Sequence, residues 1–369
     1  MKKVLFLIHD LGQGGAEKVL VNLVNNMDSQ KFDITVISLF GGGVNEQFLK
    51  PHIKYRSVFK KSFPGNSKVM KLFSPKFLHK FCIKEKFDIE ISYLEGPTAR
   101  IVSGCPVEDT KLVSWIHCTM KSCKDIVVGF RNFNEANNCY NKFNKSAFVS
   151  KGVRDAFLEY CGYNGKTDVM YNTIESDFIR SKAVEPCDAM LRNGKVNLIA
   201  AGTLKQVKGF DRLLNVAKKL KDENLNFHLY ILGTGPQQKE LEEYISDNNM
   251  GDSVSLLGYD TNPYKYISKS DLFVCSSYSE GFSTAATEAL IVGTPVVTVE
   301  VSGMKEMLGE NNEYGIVTEN NEEALYDGIK KILTTPGMLE DYAKRAEERG
   351  KYFSTENTTK AVEDMLESL

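Results

Sequence analysis

The chain has 369 residues, 42% of them hydrophobic and 25% charged, with a formal net charge of −2. That length exceeds one ordinary core and suggests two domains of about 150–200 residues each; the near-neutral charge gives no global pull toward nucleic acid, so a nucleic-acid partner is not expected and any basic surface must be local. The eight cysteines form no C-x-x-C pair and no zinc-finger spacing with histidine, which reads as reduced thiols of a cytosolic chain that pack rather than bind metal.

The first residues, MKKVLFLIHDLGQGGAEK, begin like a signal peptide, but the apolar run 4–8 is five residues long against the ~7–15 a signal peptide needs. Asp10 and a glycine-rich turn then end it. The run is predicted as a buried first strand, and no later run approaches the ~18 apolar residues of a membrane span. Further strands are predicted over 34–39, 89–93, 112–116, 147–149 and 169–171, then over 197–201, 227–232, 254–257, 272–275, 295–299 and 315–317. Amphipathic helices lie between them, among them 16–27, 210–220, 238–248 and 284–292. Strands alternating with helices of this length indicate parallel sheets covered on both faces. The fold class is therefore α/β, with two doubly wound domains: an N-terminal domain over 1–176, a polar linker over 177–194 containing Pro186, and a C-terminal domain over 195–355. The last helix, 356–369, is placed as a candidate to return to the first domain.

In open parallel sheets, ligands bind beyond the carboxyl ends of the strands, and the motifs fall there. After the first strand comes the turn holding Gly14 and Gly15, whose glycines allow positive φ and close backbone approach, at the head of a helix that favours an anion. It is not the dinucleotide fingerprint, since neither the third glycine nor an acidic residue closing strand two is present. His117 ends the run LVSWIH and points toward the mouth of a site, or is a core histidine. In the loop GTLKQVKG, Lys208 stands at the head of a helix, a place that suits a diphosphate. Gly258 and Tyr259 follow a strand and offer backbone groups to a base.

In SEGFSTAATEALIVGTP, Glu280 lies in a loop, Gly281 and Phe282 follow, Ser283 caps the next helix and Glu288 lies within it. Two such carboxylates suit the hydroxyls of two different sugars. The chain contains no D-x-D, so a metal-bridged diphosphate of that kind is not indicated.

Together these motifs resemble the family 4 retaining glycosyltransferases of the GT-B fold, in which two Rossmann-like domains face each other across a cleft. The resemblance rests on GGAE (14–17), His117, VSKGV (149–153), YNTIE (171–175), KGFD (208–211), LGTGP (232–236), LLGY with NPY (256–264), and the E-x7-E motif 280–288 with GTPVV (293–297), and so covers nearly the whole chain. It implies a nucleotide-sugar substrate, with no further cofactor and no metal. Glu288 would hold the ribose and Glu280 the donor sugar, with Gly281, Phe282 and Ser283 beside it; Gly258 and Tyr259 would read the base. Lys208, Thr203, Gly14 and Gly15 would surround the diphosphate, and His117, counted with Glu280 as catalytic, would lie close to the transferred sugar. Where the family usually carries an arginine, this chain has Thr203, so Lys205 or helix N-termini would supply that charge. The GGAE and NPYKY segments look like those of members that build bacterial surface polysaccharides on lipid-diphosphate carriers. An epimerase of the same fold and a non-catalytic nucleotide-sugar-binding partner are the alternatives.

The segment 57–84 has seven lysines, among them Lys60, Lys61, Lys68, Lys71, Lys76 and Lys80, and neither Asp nor Glu, with phenylalanines interleaved. Such a segment suits peripheral attachment to anionic lipid; the competing reading is a surface helix pair with its apolar side in the core. The expected place is the inner face of the plasma membrane.

Overall fold

The computed structural model describes residues 1–187 and 194–369. The chain divides into two compact units, Met1–Ile174 with Thr355–Leu369, and Glu175–Ser354. The first unit opens with β1 (Lys2–Ile8), α1 (Gly15–Asn26), β2 (Phe32–Phe40), β3 (Lys54–Phe59), α2 (Asn66–Leu72) and α3 (Pro75–Cys82). It continues with β4 (Ile89–Ser92), α4 (Pro97–Val102), β5 (Lys111–Ile116), α5 (Cys123–Ile126), α6 (Phe133–Tyr140), β6 (Lys145–Phe148), α7 (Lys151–Tyr160) and β7 (Lys166–Val169). The second unit runs through α8 (Ser176–Ala183), β8 (Val196–Ala201), α9 (Phe210–Asp222), β9 (Phe227–Leu232), α10 (Gln238–Asp247), β10 (Val254–Gly258) and α11 (Tyr264–Ile267). It ends with β11 (Leu272–Cys275), α12 (Thr284–Ile291), β12 (Val296–Val299), α13 (Met304–Leu308), β13 (Ile316–Thr318), α14 (Glu322–Thr334) and α15 (Met338–Tyr352); α16 (Thr355–Glu367) returns to the first unit.

Both sheets are parallel throughout. The first has seven strands in the order β3-β2-β1-β4-β5-β6-β7, the second six in the order β10-β9-β8-β11-β12-β13. A parallel strand covered on both faces reads as an unbroken apolar run, and Val4 to Ile8 of β1 are all fully buried. In the second unit α9 turns Leu213, Leu214, Val216, Ala217 and Leu220 into the core. Leu214 is wholly buried, so truncating it to Ala costs about 2–5 kcal/mol. In each sheet the chain order reverses once, between β1 and β4 and between β8 and β11. The connections there leave on opposite faces, which opens a crevice at the carboxyl ends of those strands.

The structure differs from the sequence reading at three places. The charged strand β3 pairs with β2, Phe59 opposite Phe40, so residues 57–59 of the basic segment are sheet rather than surface helix. It lies at the sheet edge and is only half-buried, and charged residues are how such edges avoid further pairing, which obscures the apolar signal. The stretch 177–194, expected as a linker, begins within α8, which belongs to the second unit and packs on α11 and α12. Its buried Ile179 and Ala183 make too short a pattern for a helical period to stand out. Residues 188–193 of that stretch lie outside the described residues. Finally, neither Gly14 nor Gly15 has positive φ.

The last helix does pack on the first unit. α16 lies on α1, Lys2 Nζ donates to the Leu366 carbonyl at 2.9 Å, and Lys31 pairs with Glu367 at 2.9 Å.

Candidate active site

In the second unit the reversal between β8 and β11 gathers the charged residues. The loop after β8 carries Lys208, and the loop after β11 carries Ser276, Ser277 and Glu280. Lys208 Nζ meets Glu280 Oε1 at 2.7 Å, and the Ser277 hydroxyl donates to the same oxygen at 2.6 Å. The two loops are also joined through backbone, since the Ser276 hydroxyl donates to the Lys208 carbonyl at 3.0 Å. Gly209 makes this approach possible. Its φ is +64°, and a Cβ there would strike the Ser276 carbonyl oxygen, so only glycine fits. Lys208, Ser276, Ser277, Glu280 and Ser283 line a small, partly open recess.

Arg212, on the first turn of α9, fastens the β11 loop from below. Its Nε donates to the Ser276 carbonyl and its Nη2 to the Ser277 carbonyl, each at 2.6 Å. Nη1 donates to Asn320 Oδ1 at 2.8 Å, and the guanidinium lies 4.2 Å from the Tyr278 ring centre. The planar fork of arginine matches two adjacent carbonyls in a way that an ammonium cannot.

Ser283 caps α12, its hydroxyl accepting from the Ala286 amide at 3.4 Å. Glu288, in the second turn of α12, accepts from the Tyr264 hydroxyl at 3.3 Å. Gly258 ends β10 with φ +73°, and the Tyr259 ring beyond it is 74% exposed. The Gly233 amide donates to the Gly258 carbonyl at 2.7 Å, and the Gly202 amide to the Leu232 carbonyl at 2.9 Å, which ties the turns after β8, β9 and β10 together. Thr203 and Lys205 are exposed. Phe282, beside Glu280 in sequence, is 5% exposed, and its ring packs on Phe353 with ring centres 5.7 Å apart.

The corresponding reversal in the first unit lies between β1 and β4. Gly14 caps α1 in extended conformation and Gly15 opens the helix. A Cβ at Gly15 would meet nothing, while one at Gly14 would collide with the Glu17 carboxylate. The use of glycine here is therefore open space above the helix N-terminus rather than a left-handed turn. Burial pushes the Glu17 carboxyl above its ordinary range, against its own backbone hydrogen bond, and the charge of Asp10 adds to the rise. His117, at the end of β5, is buried against Tyr93, with ring centres 4.7 Å apart. Its amide donates to Glu95 Oε2 at 3.0 Å. Its Nε2 is buried and has no hydrogen-bond partner among the described residues. Burial holds the ring far below the usual histidine range, at about 3, so His117 is neutral at physiological pH.

The basic segment forms α2 and α3. Leu78 is buried, but Val69, Leu72, Phe73, Phe77 and Phe81 are exposed, as are Lys60, Lys61, Lys68, Lys76 and Lys80, with Lys71 half-buried. Phe73, Phe77 and Phe81 stack in a row, with ring centres 4.9 and 6.5 Å apart. The apolar side of α3 thus does not all turn to the core. The exposure is built rather than frayed. Buried Arg100 donates to the carbonyls of Met70 and Phe73 at 2.9 and 2.6 Å. Arg131 donates to those of Lys71 and Leu72 at 2.6 and 3.0 Å, and Glu135 joins the two arginines. Among the described residues no helix is long and apolar enough to cross a membrane.

Two family descriptions match the chain, "Glycosyltransferase Family 4" over residues 13–178 and "Glycosyl transferases group 1" over residues 189–349. The chain is a glycosyltransferase built of a family 4 domain and a group 1 domain. This glycosyltransferase is 29% identical, over the full length of both chains, to the N-acetylgalactosamine-N,N'-diacetylbacillosaminyl-diphospho-undecaprenol 4-alpha-N-acetylgalactosaminyltransferase of Campylobacter jejuni. It is 24% identical, over 44% of each chain, to the lipopolysaccharide core biosynthesis glycosyltransferase LpsD of Rhizobium meliloti. Its fold is that of HepE from Anabaena, solved in complex with UDP and glucose, with a TM-score of 0.79 over the whole of both chains at 18% identity. That likeness establishes the GT-B type of fold for this glycosyltransferase.

Sequence reasoning located Lys208, Glu280, Ser283 and Glu288, and the structure brings Lys208 and Glu280 into contact. It gave no role to Ser277, Arg212 or Glu95, and took in Glu17 and Tyr264 only as members of the GGAE and NPY motifs. The position of Glu95, just beyond the carboxyl end of β4, was a usable signal; the contacts of Arg212, 64 and 65 residues away, were not.

Proposed function

We propose that this glycosyltransferase moves a sugar from a UDP-linked donor, with retention of anomeric configuration, to a saccharide carried on a lipid diphosphate, in bacterial surface-polysaccharide assembly. The observation that carries the proposal is the Lys208–Glu280–Ser277 cluster at the β8/β11 reversal. A cation beside a carboxylate in a recess at the strand ends suits a sugar diphosphate, with hydroxyls for the acid and phosphate oxygens for the base. Glu288 is assigned to the ribose hydroxyls, the backbone at Gly258 and Tyr259 to the base, and Lys208 with Thr203 to the diphosphate. In the first unit, Gly14 and Gly15 are assigned to the open helix N-terminus that takes an anion, and neutral His117 to a sugar hydroxyl through its unpaired Nε2.

The bond between anomeric carbon and diphosphate breaks as the acceptor hydroxyl oxygen attaches on the same face, and a diphosphate oxygen takes the hydroxyl proton. Charge builds on the leaving diphosphate, where Lys208 stands, so no metal is needed in this reading. Support for UDP comes from HepE, which was solved with that nucleotide. Support for the acceptor comes from the Campylobacter relative, whose name specifies a diphospho-undecaprenol-linked saccharide. The exposed aromatic and lysine surface of α2 and α3 supports docking on the anionic, cytoplasmic face of the membrane, where such an acceptor lies.

A thermal-shift panel of UDP-, GDP- and dTDP-sugars tests the donor. A true donor at 100 times its dissociation constant adds about 2.7 kcal/mol of stability, and stabilisation by GDP- or dTDP-sugars alone overturns the UDP assignment. Transfer to a lipid-diphosphate saccharide, with the product anomer read by NMR, tests the rest. An inverted product, or transfer undiminished in Glu280→Gln, contradicts the mechanism.

A further inference from the structure

The first unit contains a second polar cluster that the transfer reaction does not use. His79 on α3, Glu90 on β4 and Cys105 just after α4 bring a nitrogen, a carboxylate and a sulfur together, all within 4.8 Å of one another. His79 Nε2 lies 2.8 Å from Glu90 Oε2, and Cys105 Sγ lies 3.7 Å from Glu90 Oε1. Glu90 is 1% and His79 5% exposed, while Cys105 is half-buried.

We propose that these three residues bind a zinc ion that fastens α3 to the amino end of β4. Zinc takes nitrogen and oxygen at about 2.0–2.2 Å and thiolate sulfur at about 2.3 Å in a tetrahedron, which places ligand atoms roughly 3.3–3.7 Å apart. The Cys105–Glu90 separation of 3.7 Å reaches that range, while His79 and Glu90, at 2.8 Å, part by about 0.5 Å to admit the ion. The donor set of imidazole, carboxylate and thiolate is the one zinc selects. The buried Glu90 carboxylate is held by His79 at 2.8 Å, and the ion replaces that bond by coordinating both groups. On binding, the imidazole gives up the Nε2 proton that it donates to Glu90, its other ring nitrogen carrying the remaining one, and the Cys105 thiol gives up its own, both passing to water; the ion takes Nε2, a Glu90 oxygen and the thiolate, and a water on the exposed side of Cys105 completes the four. The protein ligands come from three consecutive elements, separated by 11 and 15 residues, a spacing no zinc-finger pattern contains. One of those elements is α3, which presents Lys76, Phe77, Lys80 and Phe81, so the ion holds that face rigid.

The test uses the untagged full-length chain, equilibrated with zinc, dialysed and analysed by mass spectrometry for metal. The wild type retains about one zinc per chain; Cys105→Ser and His79→Gln lose most of it, and Cys118→Ser keeps it. Cobalt in place of zinc gives a thiolate charge-transfer band in the near ultraviolet that Cys105→Ser abolishes. Chelation of the wild type speeds amide exchange in residues 75–82, a reading that requires no substitution. A wild type that retains no zinc and shows no cobalt band overturns the proposal, as does full retention by Cys105→Ser.

Discussion

Lys208 and Glu280 are 72 residues apart in sequence and 2.7 Å apart in the structure. Each comes from the loop beyond one of the two strands between which the chain order reverses, so the topology of the sheet, rather than any local pattern, makes the pair. In the proposed transfer, an incoming diphosphate competes with Glu280 for the lysine and leaves the carboxylate to a sugar hydroxyl.

The pair is partly exposed, so its contribution to folding is small while its contribution to transfer is large. Lys208→Met is expected to lower kcat/KM by about 10²–10³-fold and to change unfolding free energy by less than about 1 kcal/mol. Because both residues act on one bound donor, Glu280→Gln has a smaller effect in the Lys208→Met background than in the wild type. Steady-state kinetics of the four proteins, with urea unfolding alongside, decide the matter; strictly multiplicative losses count against a shared ligand.

Arg212 behaves in the opposite way. Its removal leaves the carbonyls of Ser276 and Ser277 without partners, and Arg212→Ala is expected to destabilise the chain by about 3 kcal/mol. Arg212→Lys recovers little of this, since one ammonium cannot serve both carbonyls and stack on Tyr278. Chemical unfolding of the two variants is the measurement, and equal stability of wild type and Arg212→Lys contradicts the account.

Tyr264 reaches the site through Glu288, to which its hydroxyl donates at 3.3 Å. Tyr264→Phe keeps the ring and removes the bond, which costs about 1 kcal/mol, or about five-fold in the dissociation constant of the donor. Titration calorimetry with UDP measures it. The same loss in Glu288→Gln and in the double variant shows that the tyrosine works through the acid.

His117 predicts acid sensitivity of a definite sign. Burial holds its ring near 3, below the ordinary 6.5. The unfolded chain takes up the proton near the higher value and the folded chain only near the lower. The stability contribution is therefore complete above about pH 6.5 and lost as pH falls toward 3, with a slope approaching about 1.4 kcal/mol per pH unit. His117→Phe is expected to flatten that slope in urea unfolding across the acid range; an unaltered slope places the titrating group elsewhere.

The face of α2 and α3 is expected to bind vesicles containing anionic lipid in low salt and to release them in high salt. Each lysine near the surface contributes about 1 kcal/mol, so Lys76→Glu with Lys80→Glu weakens binding by more than tenfold. Phe77→Ser with Phe81→Ser weakens it in both salts. Co-sedimentation reads each case. Binding to neutral vesicles equal to that on anionic ones removes the charge argument.

Much of the fold was legible because buried parallel strands such as 4–8 are unbroken apolar runs and the helices between them are long enough to show a period. β3 escaped because an edge strand carries charge, and α8 because eight residues hold too few turns. At the site, Lys208, Glu280 and Glu288 could be located by their place after strand ends. Ser277 was one serine among several. That the Phe282 ring turns onto Phe353 was not legible, because adjacency to Glu280 does not tell which way a ring turns.

The order of strands and helices, the two sheets and the loops bearing the charged motifs were determined by the sequence alone, because each depends on local periodicity and on residues close together in the chain. Contacts were decided only by tertiary structure: the Lys208–Glu280 pair, the Arg212 clamp beneath it, the burial that keeps His117 neutral, the outward turn of Phe77 and Phe81, and the meeting of His79, Glu90 and Cys105. Each depends on which strands lie side by side and on what surrounds a side chain, and these are set by the packing of elements distant in sequence.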